Sequence, residues 1–139
     1  MILYFDTSAL IKLVIAERGS ELAQELWASS HRSASSVLVY AEGRAALAAG
    51  RRNGRLSDRL HDEAVGCLDR AHEQLISISV DEQLARLAGG IAAEFALRGY
   101  DAVHLATALS LAERDVALVS WDQQLCHAGT AAGLIVLGE

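Results

Sequence analysis

Apolar and polar residues follow one another along the chain in blocks that predict strands and helices in turn. The run Ile2–Phe5 is too short for a helix and rich in β-formers, which predicts a strand buried on both faces. From Ala9 onward the apolar residues recur at helical spacing, and residues 6–8 are good N-cap types. The first strand is therefore expected to pass into a helix through one tight turn.

The same alternation continues to the end of the chain and predicts an α/β fold. Further strands are predicted at 31–34, 75–80, 117–121 and 134–137. Further helices are predicted at 20–27, 37–50, 57–74, 82–97, 101–113 and 122–129, the second of them beginning near Ser35 and Ser36. Strands separated by helices need crossover connections, so a mainly parallel five-stranded sheet with helices on both faces is expected. At 139 residues, one domain is expected.

The charge and hydropathy of the sequence bear on nucleic-acid binding and on cellular location. A net charge of −6 argues against nucleic-acid binding through overall charge, yet Arg51, Arg52 and Arg55 lie in a short arginine-rich stretch. This stretch is either a phosphate-contacting patch or a solvated helix end. No export signal and no run of 18 apolar residues is present, so a cytoplasmic location without membrane contact is expected.

Four acidic residues occupy positions where a parallel sheet would bring them together. Asp6 follows the first predicted strand and Asp122 follows the fourth, while Asp101 begins a helix and Glu42 lies within one. The carboxyl ends of parallel strands share one edge of a sheet, which is where such folds bind ligands. Convergence of the four acids is therefore expected, although Asp6 could equally serve only as a helix cap.

Four carboxylates a few ångströms apart resist full ionisation unless a positive charge lies among them. No basic residue in the sequence is expected to supply that charge, since Lys12, the only lysine, lies nearly two helical turns beyond Asp6. A divalent cation is the natural alternative. An all-oxygen ligand set without Cys or a clear His ligand favours Mg²⁺ or Mn²⁺ over Zn²⁺.

Four sequence motifs carry a resemblance to a known family. They are FDTSALIKL at the N-terminus, SSVLVYAE ending at Glu42, DAVHLATAL beginning at Asp101, and SWD at 120–122. Together, and in this order over nearly the whole chain, they resemble the PIN domain, in particular the VapC toxins of bacterial toxin–antitoxin pairs. Residues 1–139 are then expected to be a single PIN domain with a three-layer α/β/α sandwich.

The resemblance also implies an activity, partners and site residues. The implied activity is Mg²⁺- or Mn²⁺-dependent endoribonuclease cleavage by the toxin of a type II pair. Asp6, Glu42, Asp101 and Asp122 match the family's acidic quartet, with Asp6 and Asp101 expected as the most direct metal ligands. Ser8 matches a hydroxyl position that helps to arrange the first acid, and Ser120 keeps the hydroxyl of a position that is Thr in many relatives. A VapB-type antitoxin, an RNA substrate contacted by the arginine-rich stretch, and a homodimer are expected.

Two other functions stay open from the residues themselves. A phosphohydrolase of the haloacid dehalogenase type also begins with a strand ending in Asp, but it needs a second Asp where Ser8 stands and a later lysine. A non-catalytic PIN-fold module that binds RNA or protein is the stronger alternative, although a phosphate-binding surface would gain by losing the four acids. The spacing of His104 three residues after Asp101 would allow a ligand or general-base role, but the family resemblance implies that it packs beside the acids instead.

Overall fold

The computed structural model of the chain describes residues 1–138. Its strands are β1 (Ile2–Phe5), β2 (Ser33–Ser36), β3 (Ile76–Ile78), β4 (Val116–Ser120) and β5 (Ile135–Gly138). Its helices are α1 (Thr7–Val14), α2 (Ser20–Ser29), α3 (Leu38–Arg52), α4 (Asp58–Gln74), α5 (Glu82–Phe95), α6 (Gly99–Ser110) and α7 (Gln123–Ala131), with a short 3₁₀ helix at Ala112–Arg114. Strands and helices follow one another as the sequence predicts.

The five strands form one parallel sheet in the order β3-β2-β1-β4-β5. Strand β1 lies at the centre, with Tyr4 opposite Ala34 of β2 and Phe5 opposite Val119 of β4. After β1 the chain adds β2 and then β3 on one side of it. It then crosses over and adds β4 and β5 on the other side. In parallel sheets, ligands bind at the carboxyl ends of the strands where the order reverses, here between β1 and β4.

Helices cover both faces of the sheet, which confirms the predicted three-layer α/β/α sandwich. Tyr4 and Leu118 point to the face covered by α5, α6 and α7. Their neighbours Phe5 and Val119 point to the opposite face and pack with residues of α1 and α2. All four side chains are fully buried, so successive residues of β1 and β4 fill two separate cores, as expected for strands that are buried on both faces.

The second strand lies two residues later than predicted. It covers Ser33–Ser36 instead of 31–34 because two serines that look like helix caps are buried in the sheet. The Ser35 hydroxyl donates to the Phe5 carbonyl (2.6 Å), and the Ser36 N–H donates to the Tyr4 hydroxyl (3.0 Å). Hydrogen bonds of this kind remove the cost of burying a polar group, which local sequence does not reveal.

Other element boundaries also differ from the predictions. Helix α6 begins at Gly99, so Asp101 lies in its first turn instead of opening it, and Arg98 is the N-cap residue. Strand β3 keeps only Ile76–Ile78 of the predicted 75–80. Helices α3 and α4 form a hairpin, which turns at Gly54 with φ of +81°. Within residues 1–138, no helix has the length and apolar character needed to cross a membrane.

Candidate active site

Two of the acids follow neighbouring strands and also cap the helices that begin there. Asp6 follows β1, and its Oδ1 accepts a hydrogen bond from the Ala9 N–H at the start of α1 (2.9 Å). Asp122 follows β4, and its Oδ1 accepts from the Leu125 N–H of α7 (2.9 Å). Helix capping is therefore one role of Asp6. Capping uses Oδ1 of Asp6 and of Asp122, and Oδ2 of each residue contacts other groups.

Two serine hydroxyls link the ends of β1 and β4 and orient Asp6 between them. Ser8 Oγ donates to Asp6 Oδ1 (2.7 Å) and accepts from the Trp121 N–H (2.9 Å). Ser120 Oγ donates to Asp6 Oδ2 (2.7 Å) and accepts from the Asp122 N–H (3.1 Å). Both oxygens of Asp6 therefore accept hydrogen bonds that fix the plane of its carboxylate.

Asp6 is the most deeply buried of the four acids, with 4% of its surface exposed. Burial raises the pKa of Asp6 above its ordinary value, and the charge of His104 and the hydrogen bonds from Ser120, Ala9 and Ser8 only partly oppose this effect. A carboxylate with a raised pKa lacks sufficient compensating positive charge. Asp6 would therefore gain from a cation placed nearby.

Glu42 is connected to the sheet through a buried histidine. His104 Nε2 lies 2.7 Å from Glu42 Oε1 and 3.3 Å from Thr7 Oγ1, and its Nδ1 lies 2.8 Å from the Tyr4 hydroxyl. The Tyr4 oxygen already accepts the Ser36 N–H, so its own proton is available to His104 Nδ1. The Glu42 carboxylate can only accept, so Nε2–H donates to it, in the neutral ring with Nδ1 accepting and in the protonated ring alike. This chain of hydrogen bonds fixes both the histidine ring and the carboxylate.

The same contacts determine the ionisation of Glu42 and Tyr4. Burial opposes the ionisation of Glu42, but the hydrogen bond and charge of His104, helped by Thr7 and Arg98, outweigh it and lower the pKa of Glu42 below its ordinary value. Burial raises the pKa of Tyr4, so this residue remains a hydroxyl donor. The packing role expected for His104 is therefore extended: it orients Glu42 and favours its ionised form.

The expectation that no basic residue neutralises the acids is wrong. Arg98 Nε donates to Asp101 Oδ2 (3.0 Å), and Arg98 Nη2 lies 3.6 Å from Asp122 Oδ2. The hydrogen bond and charge of Asp101, followed by the charge of Asp122, raise the pKa of Arg98 further above its ordinary value. The sequence could have indicated the first of these contacts, because Arg98 and Asp101 are three positions apart at the start of a helix and such residues are neighbours. The contact with Asp122 depends on the fold.

The structure thus places all four acids at one edge of the sheet, as expected. Their chemistry suits a hard divalent cation, since every candidate ligand is a carboxylate oxygen. Within residues 1–138, however, no three His, Cys, Asp or Glu side chains are arranged so that they could hold one metal ion. The donor set fits Mg²⁺ or Mn²⁺ in type, and a change in the arrangement of the side chains is needed to form the site.

The arginine-rich stretch lies away from the acids. Arg51, Arg52 and Arg55 are exposed at the carboxyl end of α3 and in the turn after it. Glu42 is ten residues before Arg52 on the same helix, a separation of about 15 Å along the axis. These arginines therefore do not contact the acids, and they remain candidates only for a more distant part of a bound strand.

Comparison with known proteins agrees with the fold. Residues 3–130 match the PIN domain family. Ribonuclease VapC49 of Mycobacterium tuberculosis is 38% identical over 132 residues, which cover 95% of this chain and 92% of that protein.

Two solved structures share the fold at lower sequence identity. Mycobacterium tuberculosis VapC20, described as a sarcin-ricin loop cleaving toxin, has a TM-score of 0.71 at 21% identity, with 99% of both chains covered. VapBC-5 of the same organism, a member of the VapBC family of toxin-antitoxin systems, has a TM-score of 0.64 at 20% identity, covering 98% of this chain and 97% of that one. The family match across most of the sequence and the identity to a VapC protein together show that the chain belongs to the PIN-domain family, among its VapC members.

Proposed function

We propose that this chain is a Mg²⁺- or Mn²⁺-dependent endoribonuclease that acts as the toxin of a bacterial type II toxin–antitoxin pair. The observation that carries the proposal is that Asp6 and Asp122 follow β1 and β4 while Glu42 and Asp101 reach the same edge of the sheet from α3 and α6, with Asp6 buried and its pKa raised. The 38% identity to a protein named as a ribonuclease supports RNA as the substrate. The reaction proposed is hydrolysis of a phosphodiester bond.

The four acids divide into two pairs in this proposal. Asp6 and Asp101 would hold the ion most directly, with Glu42 and Asp122 beside them. A bound divalent ion supplies the positive charge that activates a water molecule and stabilises the charge developing on the phosphate. Ser8 and Ser120 orient Asp6 through hydrogen bonds of 2.7 Å each. His104 orients Glu42 and keeps it ionised.

The proposed partners follow from the relatives. VapBC-5 belongs by its description to a toxin-antitoxin system, which supports a cognate VapB-type antitoxin for this chain. A homodimer is proposed as well, with light scattering of the purified protein as its test.

Expression of the chain alone should slow bacterial growth, and coexpression of the antitoxin should restore it. Normal growth despite abundant, folded, active protein would contradict the toxin assignment.

The test of the enzymatic activity is cleavage of total cellular RNA by purified, antitoxin-free protein. Reactions with Mg²⁺, Mn²⁺ or EDTA are compared for the wild type and Asp6→Asn, and the new RNA ends are mapped by sequencing. Discrete cuts that need both metal and Asp6 are expected, because the proposed site needs every carboxylate it contains. Folded protein that binds RNA without cutting it would favour the non-catalytic binding module instead.

The arginine-rich stretch gives a separate prediction about RNA binding. Arg51→Ala combined with Arg52→Ala, tested in the inactive Asp6→Asn background, should weaken binding because two exposed positive charges are lost. If each arginine contacts one phosphate, the slope of log affinity against log salt concentration should become shallower by roughly 1.4. The control is Arg86→Ala with Arg114→Ala, which removes two exposed arginines outside α3. Equal slopes in the two double variants would assign Arg51 and Arg52 to a solvated helix end.

A further inference from the structure

Arg98 lies between two carboxylates that belong to different elements of the proposed metal site. Its Nε donates to Asp101 in the first turn of α6, and its Nη2 lies 3.6 Å from Asp122 at the start of α7. One guanidinium therefore serves as a positive charge shared by two of the four acids.

The guanidinium reaches the acids from the solvent side. The Arg98 side chain is 76% exposed, whereas the side chains of Asp101 and Asp122 are 13% and 27% exposed. A Cβ placed on the next residue, Gly99, would meet no atom within 4 Å, so the space beside Arg98 is open. The guanidinium can leave the carboxylates without opening a cavity in the core.

A divalent ion and the guanidinium repel one another when both lie against the same carboxylates. Asp101 Oδ2 already accepts the Arg98 Nε–H at 3.0 Å, and a cation bound there would lie within a few ångströms of a like charge. In this arrangement, no three ligating side chains of residues 1–138 converge on one point. The Arg98 contacts and a bound ion therefore oppose one another at Asp101 and Asp122.

We propose that Arg98 is an internal counter-cation that neutralises Asp101 and Asp122 in the metal-free protein and is displaced from them when a divalent ion binds. The inference rests on the metal-dependent function proposed above. Two consequences follow, because binding of the ion requires loss of the arginine contacts. Arg98 stabilises the fold when metal is absent, and it weakens the apparent affinity for metal.

Variants at Arg98 separate competition with the ion from a purely structural role. Arg98→Gln removes the charge, Arg98→Lys keeps it, and the control Arg86→Gln removes an equally exposed arginine from its pair with Glu82 on α5. Mn²⁺ binding is measured by electron paramagnetic resonance of the free ion, and unfolding midpoints are measured in EDTA and in Mn²⁺. None of these readouts requires cleavage of RNA.

Competition predicts opposite changes in stability and in affinity. Arg98→Gln should bind Mn²⁺ roughly three- to tenfold more tightly than the wild type. Its unfolding midpoint in EDTA should fall by about 2 to 4 °C, and Mn²⁺ should raise that midpoint by more than it does in the wild type. Arg98→Lys should stay close to the wild type, and Arg86→Gln should leave the Mn²⁺ affinity unchanged.

A second measurement follows the wild-type side chain directly. In ¹⁵N-labelled protein, the Arg98 Nε–H resonance, assigned by its absence in Arg98→Lys, should show a hydrogen-bonded proton in EDTA. Addition of Mg²⁺ should move it to the position of a solvent-exposed arginine. A resonance that does not change at saturating Mg²⁺ would overturn the inference even if Arg98→Gln failed to fold.

The outcomes also distinguish this inference from the function on which it rests. Equal or weaker Mn²⁺ binding by Arg98→Gln, together with metal-dependent cleavage by the wild type, overturns the counter-cation role alone. Absence of Mn²⁺ binding in both proteins overturns the inference and the metal dependence of the proposed function together. Tighter binding by Arg98→Gln supports the inference.

Discussion

Asp6→Asn is expected to lower RNA cleavage by at least about a thousandfold, equivalent to about 4 kcal/mol of lost transition-state stabilisation. The carboxylate that would hold the ion most directly becomes a neutral amide of nearly the same shape. Asn is also a good N-cap residue, so its side-chain oxygen can still accept the Ala9 N–H that Asp6 accepts at 2.9 Å. The loss of cleavage should therefore occur without unfolding.

The stability of Asp6→Asn carries a second expectation, which concerns pH. Burial makes the pKa of Asp6 higher in the folded protein than in the unfolded chain, so the folded state favours the protonated acid. Stability contributed by the protonated form is present below the unfolded pKa and is lost as the pH rises through the folded pKa. The Asn side chain does not titrate in this range, so Asp6→Asn loses no stability in this way. The free energy of unfolding of Asp6→Asn relative to the wild type, measured in EDTA, should therefore increase as the pH rises from about 4.

The matched control for Asp6→Asn is Asp81→Asn. Asp81 is the N-cap of α5, and its Oδ1 accepts the Leu84 N–H at 2.8 Å, as Asp6 does for α1. The two substitutions therefore change the same type of cap, but only one lies at the acid cluster. Asp81→Asn should retain full cleavage. A comparable loss of activity in both variants would show that capping, and not metal chemistry, explains the effect of Asp6.

His104→Ala is expected to lower cleavage by about 10- to 100-fold, the range typical of residues that orient metal-binding side chains. It should also lower the free energy of unfolding by about 2 to 4 kcal/mol, because the Tyr4 hydroxyl and Glu42 lose their partner in a site where His104 is only 2% exposed. Both changes follow from one buried hydrogen-bonded chain.

The pH dependence of cleavage identifies the role of His104. The hydrogen bond and charge of His104 outweigh burial and lower the pKa of Glu42, so the ionised form persists to lower pH. A group with a lowered pKa contributes stability above its unfolded pKa and loses it as the pH falls through the folded pKa. Removal of His104 raises the pKa of Glu42, so the acidic limb of the cleavage profile should move to higher pH.

Two further variants separate positioning from general destabilisation. Tyr4→Phe removes the hydrogen bond to His104 Nδ1 and the acceptor of the Ser36 N–H, but leaves His104 in place. It should reduce cleavage less than tenfold, with a smaller shift of the acidic limb. His61→Ala removes another buried histidine, which contacts Asp62 on α4. It should lower stability without moving the pH profile. An unshifted acidic limb in His104→Ala would limit that residue to packing.

Sequence patterns predict the fold better than they predict the contacts within the site. The run Ile2–Phe5 and the polar residues after it correctly predict a buried strand that ends at the site. The register of β2 was not predictable, because Ser35 and Ser36 are buried at no cost only when Phe5 and Tyr4 supply their hydrogen bonds. The sequence around Ser35 and Ser36 does not reveal hydrogen-bond partners that lie about 30 positions earlier in the chain.

Asp6, Asp101 and Asp122 were found because each lies where a strand or turn meets a helix, and parallel strands bring such ends together. Glu42, within a predicted helix, was assigned through the family resemblance. The charges that balance them were not found. Arg98 looks like part of a turn in the sequence, and only the packing of α6 beside α7 brings it to Asp122. His104 lies 62 positions from Glu42 and 100 from Tyr4, so its contacts also depend on the complete sheet.

The central position of β1 has a consequence for synthesis of the protein on the ribosome. A nascent chain that has not yet reached β4 carries Asp6, Glu42 and Asp101 but lacks both Ser120 and Asp122, and one edge of β1 is unpaired. The Ser120 hydroxyl, which donates to Asp6, is synthesised together with β4. The fourth acid, Asp122, follows directly after it. A nuclease built in this order would acquire activity in one late step, after most of its own message has been translated.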